Sequence, residues 1–103
     1  MAMFERTLRT FDSASLTANY QDVGAVLEFA VKKASIINAS TVAVLINNDT
    51  NADDDIRLPI GATLSISSDN EENNGIFNKG SQILIKQVTG AGTGSIIFNL
   101  FGE

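Results

Sequence analysis

The stretch Gly90-Ala91-Gly92-Thr93-Gly94-Ser95-Ile96-Ile97-Phe98-Asn99-Leu100-Phe101 decides the fold class. Its glycines let the backbone turn sharply, and a phosphate cradle built on them would need a helix next in the chain. Ser95 to Phe101 is instead a β-branched and aromatic run, the composition of a strand. The glycines then read as a flexible hairpin turn. Ile96, Ile97, Phe98, Leu100 and Phe101 leave little polar alternation, so both faces of this strand are expected to be covered. A second sheet or a neighbouring subunit would serve equally well.

Moving towards the N-terminus, short strand signals recur. Ile83-Leu84-Ile85 is a strand core, and Asn78-Lys79-Gly80 before it is a turn signal placed after the apolar pair Ile76-Phe77. Thr63-Leu64-Ser65-Ile66-Ser67 alternates cleanly, with Leu64 and Ile66 on one face. Ile56-Arg57-Leu58 alternates too, and Pro59 stops its pairing. Thr41-Val42-Ala43-Val44-Leu45-Ile46 is aliphatic and is expected to end at the polar run Asn47-Asn48-Asp49-Thr50-Asn51. Ser35-Ile36-Ile37-Asn38 reads as a further strand. Strands at roughly 8–12-residue spacing with glycine-rich turns point to a sandwich or barrel. The expected fold is all-β, a small antiparallel β-sandwich with jelly-roll-like or Greek-key connections.

Two segments are less direct. Residues 1–12 suit an N-terminal arm or an edge strand, with 13–103 as the sandwich domain. In the second, Val23, Val26, Leu27, Ala30, Val31 and Ala34 fall at helical spacing, and Glu28 faces Lys32 four residues on. The same residues alternate as Ala25, Leu27, Phe29, Val31 for a strand, and Gly24 and Phe29 count against a helix. Strand is the preferred reading, with one short helix near residues 22–33 as the alternative.

Composition bounds the function. A chain of 103 residues is one domain, given a usual domain size of about 100–150. It is 44% hydrophobic and 18% charged, too apolar for a disordered tail. With 7 cationic and 12 acidic residues the net charge is −5, which argues against nucleic acid or an anionic membrane as partner. Neither a signal peptide nor an apolar stretch near the ~20 residues of a membrane span is legible. The expected setting is the cytoplasm of synthesis.

Histidine and cysteine are both absent, which removes the commonest general base, the thiol nucleophile and the main transition-metal ligands. No catalytic residue and no cofactor is expected. The one cation candidate is Asp49, Asn51, Asp53 and Asp55, whose alternating oxygens resemble the start of a calcium loop. The pattern then fails, with Asp54 where the turn glycine belongs and Ile60 where a bidentate glutamate belongs. A solvated hairpin loop is the plainer reading, as it is for Asp69-Asn70-Glu71-Glu72-Asn73-Asn74. Lys32-Lys33 is the only basic pair, and no aromatics interleave with it to make a nucleic-acid platform.

Four segments, read in order, carry a resemblance. They are Ser13-Ala14-Ser15-Leu16-Thr17-Ala18-Asn19-Tyr20-Gln21-Asp22-Val23-Gly24, then Ile36-Ile37-Asn38-Ala39-Ser40. The third is Asp55-Ile56-Arg57-Leu58-Pro59-Ile60-Gly61-Ala62, and the last Lys79-Gly80-Ser81-Gln82-Ile83-Leu84-Ile85-Lys86 with Gly94 and the final strand. This order resembles small β-sandwich virion proteins of tailed bacteriophages and spans the chain from about Ser13 onward. The resemblance implies a structural role: capsid decoration, head–tail joining or tail component, made in the host bacterial cytoplasm and located in the virion. It implies other virion proteins and copies of the chain itself as partners, and the arm at residues 1–12 as a contact. It favours an extended reading of Gly24 to Asn38. Near Asn48–Asp53 this chain has acids and asparagines in place of a glycine-containing turn, so no loop function carries over. The rival reading is a carbohydrate- or calcium-binding β-sandwich module using the Asn48–Asp55 loop.

Overall fold

The structure, a computed structural model, describes residues 6–48, 56–67, 77 and 79–102. Strand β1 (Arg6–Asp12) leads through a short 3-10 turn (Ser13–Ser15) to β2 (Gln21–Asp22), then to β3 (Lys33–Ser40) and β4 (Val44–Asn48). Next come β5 (Ile56–Leu58), β6 (Thr63–Ser67), β7 (Ile83–Gln87) and β8 (Gly94–Phe101). They form two four-stranded sheets, β1-β8-β3-β6 and β2-β7-β4-β5, and every pair of neighbours is antiparallel. The pairs β1·β8, β2·β7, β3·β6 and β4·β5 are rungs of one long ribbon whose tip is the β4–β5 hairpin. Rolling that ribbon up places alternate rungs in opposite sheets, and the result is an eight-stranded jelly roll.

The core lies between the sheets and is built by side chains that alternate along the strands. Ala34 and Ile36 of β3 and Ile96, Phe98 and Leu100 of β8 meet Val44 and Ile46 of β4 and Ile83 and Ile85 of β7, all buried. Among the described residues Phe98 is the largest fully buried side chain, and truncating such a residue costs about 3–5 kcal/mol. On the other face of β8, Ile97 and Phe101 are only half-buried.

Residues 22–33 form no helix, and beyond Asp22 no regular strand until β3 either. They make a strap along the edge of the second sheet. The N–H groups of Val23, Leu27 and Val31 donate to the carbonyls of Ile83, Ser81 and Phe77 at 2.8, 2.9 and 2.8 Å. From Val23 to Leu27 the strap uses four residues where its partner uses two, so the excess bulges outwards. Val23 and Leu27 therefore both reach the core across the bulge, and Val31, four residues on and opposite Phe77, reaches it again. Val26, on the same helical stripe, is 52% exposed, so the helical spacing reflects this edge and not a helix.

Two further expectations change. Asn47 and Asn48 belong to β4 and are buried, so the strand runs two residues past the aliphatic stretch. The Gly90–Gly94 run is no hairpin, because β7 and β8 lie in different sheets. It is a crossing between layers. Gly94 has φ +89°, and a Cβ there would strike the carbonyl oxygen of Ala39, which is why β8 starts with glycine.

Candidate functional site

A jelly roll sends its connections to two ends, and here the ends differ. The connections β1–β2, β3–β4, β5–β6 and β7–β8 share one end and are tied to each other. Gly92 N–H donates to the Ser13 carbonyl at 3.2 Å, Gln87 N–H to that of Thr17 at 2.9 Å, and Thr41 N–H to that of Thr93 at 3.0 Å. The Thr41 hydroxyl also accepts from Thr93 N–H at 3.0 Å.

Asn38 ties the remaining connection of this end, β5–β6, to β3–β4. It points into the core from β3 and is fully buried. Its amide nitrogen donates to the carbonyls of Val42, Leu58 and Pro59 at 2.9, 3.0 and 3.1 Å. Its amide oxygen accepts from the N–H of Ser40 at 3.1 Å and from the Ser40 hydroxyl at 2.6 Å. Pro59-Ile60-Gly61-Ala62 closes a turn, with Ala62 N–H donating to the Pro59 carbonyl at 3.1 Å and Gly61 at φ +74°. Gly61 N–H donates to the Asn38 carbonyl at 3.0 Å, and Asn38 N–H to that of Ala62 at 2.9 Å, a G1 bulge that starts β6. This end is a platform cross-linked by hydrogen bonds.

At the opposite end lie the flanks of both acidic stretches. Asn48 pairs with Ile83, Ser67 with Lys33 and Phe77 with Val31. Asp49, Asn51, Asp53 and Asp55, and Asp69 to Asn74, fall outside the described residues. All 7 cationic residues of the chain are described, but of its 12 acids only Asp12, Asp22 and Glu28 are. The described body therefore carries 7 − 3 = +4 formal charges, against −5 for the whole chain. Asp12, Asp22 and Glu28 are all exposed, and among the described residues no group of three or more acids could hold a metal ion.

The strap is clamped from two sides. A guanidinium nitrogen of Arg9, inward on β1, donates to the carbonyls of Val23 and Ala25 at 2.8 and 2.7 Å. The Gln82 amide donates to the Gly24 carbonyl at 2.8 Å. Between them Gly24 has φ +73°, and a Cβ there would sit 3.2 Å from Arg9 Cδ.

The outer sheet faces are the broad accessible surfaces. Across the first sheet run the rows Thr10–Ile97–Ile37–Thr63, Leu8–Asn99–Ser35–Ser65 and Arg6–Phe101–Lys33–Ser67. This face mixes hydroxyls and amides with Leu8, which is 57% exposed, and the Arg6 guanidinium lies 5.8 Å from the Phe101 ring centroid. On the second sheet Arg57, Leu45 and Lys86 share a row, with the Lys86 ammonium 4.6 Å over the Tyr20 ring. No helix of the described residues is long and apolar enough to cross a membrane.

The residues that organise these surfaces, Asn38, Arg9 and Gln82, were not singled out from the sequence. A signal for Asn38 was present. It stands in phase with Ala34 and Ile36 on the buried face of its strand, where a polar residue needs partners. Comparison with protein families, curated proteins and solved structures finds no match to this chain.

Proposed function

We propose that this chain is a non-enzymatic structural protein of a tailed-phage virion. It assembles in symmetric copies with other virion proteins, as a capsid decoration, head–tail joining or tail component. The observation that carries the reading is the eight-stranded jelly roll, an architecture used by viral capsid proteins, lectins and cupins. Fold alone does not specify function, so the side chains must separate those three uses. A metal-binding cupin site draws on histidine, and this chain has none. A lectin-like site offers an aromatic face to a sugar; the chain has no tryptophan, and one face of its only tyrosine, Tyr20, is taken by the Lys86 ammonium. An assembly subunit needs a well-tied body and surfaces that symmetry can repeat, and the hydrogen-bonded platform around Asn38 and the broad outer faces support that reading. The four-segment resemblance points the same way.

Quantitative mass spectrometry of density-purified particles from a culture producing this protein tests the reading. Co-purification in proportion to the main shell protein identifies a decoration or shell component, and a few copies per particle a connector or tail component. Absence from particles overturns the proposal.

A further inference from the structure

The described sandwich has four free strand edges: β1 and β6 in the first sheet, β2 and β5 in the second. Free edges pair with other chains unless shortness, charge, proline or bulges prevent it. Three of the four are guarded. β2 has two residues and carries Asp22, while β5 has three, carries Arg57 and is capped by Pro59. β1 is longer, but it bears Arg6 and Asp12 and turns Arg9 inward. From Thr63 to Ser67, β6 has none of these devices. Thr63-Leu64-Ser65-Ile66-Ser67 is five residues long, without charge or proline, and the bulge at Gly61-Ala62 precedes it.

The register shows what this edge presents. The bond from Asn38 N–H to the Ala62 carbonyl marks a hydrogen-bonded pair, and such pairs alternate along an antiparallel ladder. Ile36–Leu64 and Ala34–Ile66 are then hydrogen-bonded pairs as well. The N–H and C=O groups of Thr63, Ser65 and Ser67 point away from β3, and all three residues are exposed. Leu64 and Ile66 face the core side and are only half-buried.

We propose that β6 is a homodimerisation edge. Two copies pair their β6 strands antiparallel about a two-fold axis at Ser65, joining two four-stranded sheets into a continuous one. The occupant is a second copy because the strand is self-complementary. About Ser65, Thr63 faces Ser67 and Ser65 faces its own equivalent, hydroxyl against hydroxyl on the outer face. Leu64 faces Ile66 on the inner face, where each covers the half-exposed side of the other. The outward backbone groups of Thr63, Ser65 and Ser67 meet as hydrogen-bonded pairs, each exchanging two bonds. No charge is buried by the contact. The inference does not depend on the virion reading, since an isologous dimer serves any assembly.

Sedimentation equilibrium of the full chain, from about 1 μM to about 1 mM, tests it alongside Ser65→Lys and Ser65→Pro. Ser65 N–H points outwards, so proline removes no bond to β3. Lysine sets two like charges face to face at the axis. The wild type should show a concentration-dependent monomer–dimer equilibrium. Each variant should weaken it at least about tenfold at unchanged Tm, while Thr10→Lys on the β1 edge leaves it intact. If proline disturbs the fold, the lysine variant decides. A chain that stays monomeric throughout overturns the inference, as does an oligomer that Ser65→Lys leaves unaltered. A monomeric wild type that loses binding to a different protein on Ser65→Lys assigns the edge to that partner and overturns self-pairing.

Discussion

The side-chain amide of Asn38 donates to the carbonyl oxygen of Leu58 across 3.0 Å, joining β3 to the end of a strand twenty residues on. The same amide nitrogen reaches Val42 and Pro59, so one buried side chain sets the spacing of two loops. No water is needed to satisfy these groups, because the protein supplies every partner.

Asn38→Ala should therefore lose about 3–5 kcal/mol of stability, since several buried polar groups lose their partner together. Urea denaturation checks this through a lowered midpoint at unchanged m-value. Asn38→Asp should be no better, because a carboxylate cannot donate to three carbonyls and would be charged in the core. A loss under about 1 kcal/mol for either variant would show that the loops are held by other means.

Gly24 and Gly61 share a positive φ, +73° and +74°, but not their surroundings. A Cβ at Gly61 meets nothing within 4 Å, whereas at Gly24 it meets Arg9. Gly61→Ala should cost about 1–2 kcal/mol for the left-handed backbone alone. Gly24→Ala should cost more, about 2–3 kcal/mol, because the clamp on the strap must also shift. Faster amide exchange at Leu27 and Val31 in Gly24→Ala would locate the loss in the strap. Equal costs for the two variants would mean that Arg9 holds nothing.

Deleting residues 1–11 tests the status of the N-terminal segment. Were it a free arm, the deletion would leave the sandwich intact. Residues 6–12 instead pair in register with Ser95–Phe101, and Arg9 on that strand holds the strap. The truncated chain should lose cooperative thermal unfolding or drop far in Tm. A wild-type Tm would falsify the structural role assigned to β1.

Ser13 is fully buried, and its hydroxyl has no hydrogen-bond partner among the described residues. Removing a buried group that pairs with nothing relieves its desolvation cost. Ser13→Ala should be neutral or stabilising by up to about 1 kcal/mol, read from the denaturation midpoint. Marked destabilisation would point to an ordered water bound there.

Several elements were legible in the amino-acid sequence. β5 and β6 lie where alternation places them, because a half-buried strand writes its two-residue period directly into the chain, and β7 and β8 lie where their β-branched and aliphatic runs between turn residues place them. The strap was legible only as a conflict. Its recurrence at Val23, Leu27 and Val31 comes from bonds to residues more than forty positions away, which no local period encodes. Asn47 and Asn48 were misread for a related reason. Asparagine is a turn former unless a partner is supplied, and Ser81 and the Gln82 carbonyl supply one to Asn48 at 3.0 and 3.1 Å.

All-β character, the positions of β5 to β8 and the lack of histidine and cysteine chemistry were thus settled by residue type and spacing, which are local properties. The order in which strands pair was not. β1 joins β8, and β7 and β8 part into different layers, because pairing is governed by which apolar faces close one core. Asn38 as a hub, Arg9 as a clamp and β6 as the unguarded edge emerge only from that closure. Each depends on the geometry between segments distant in sequence, and that geometry exists only once the ribbon has rolled up.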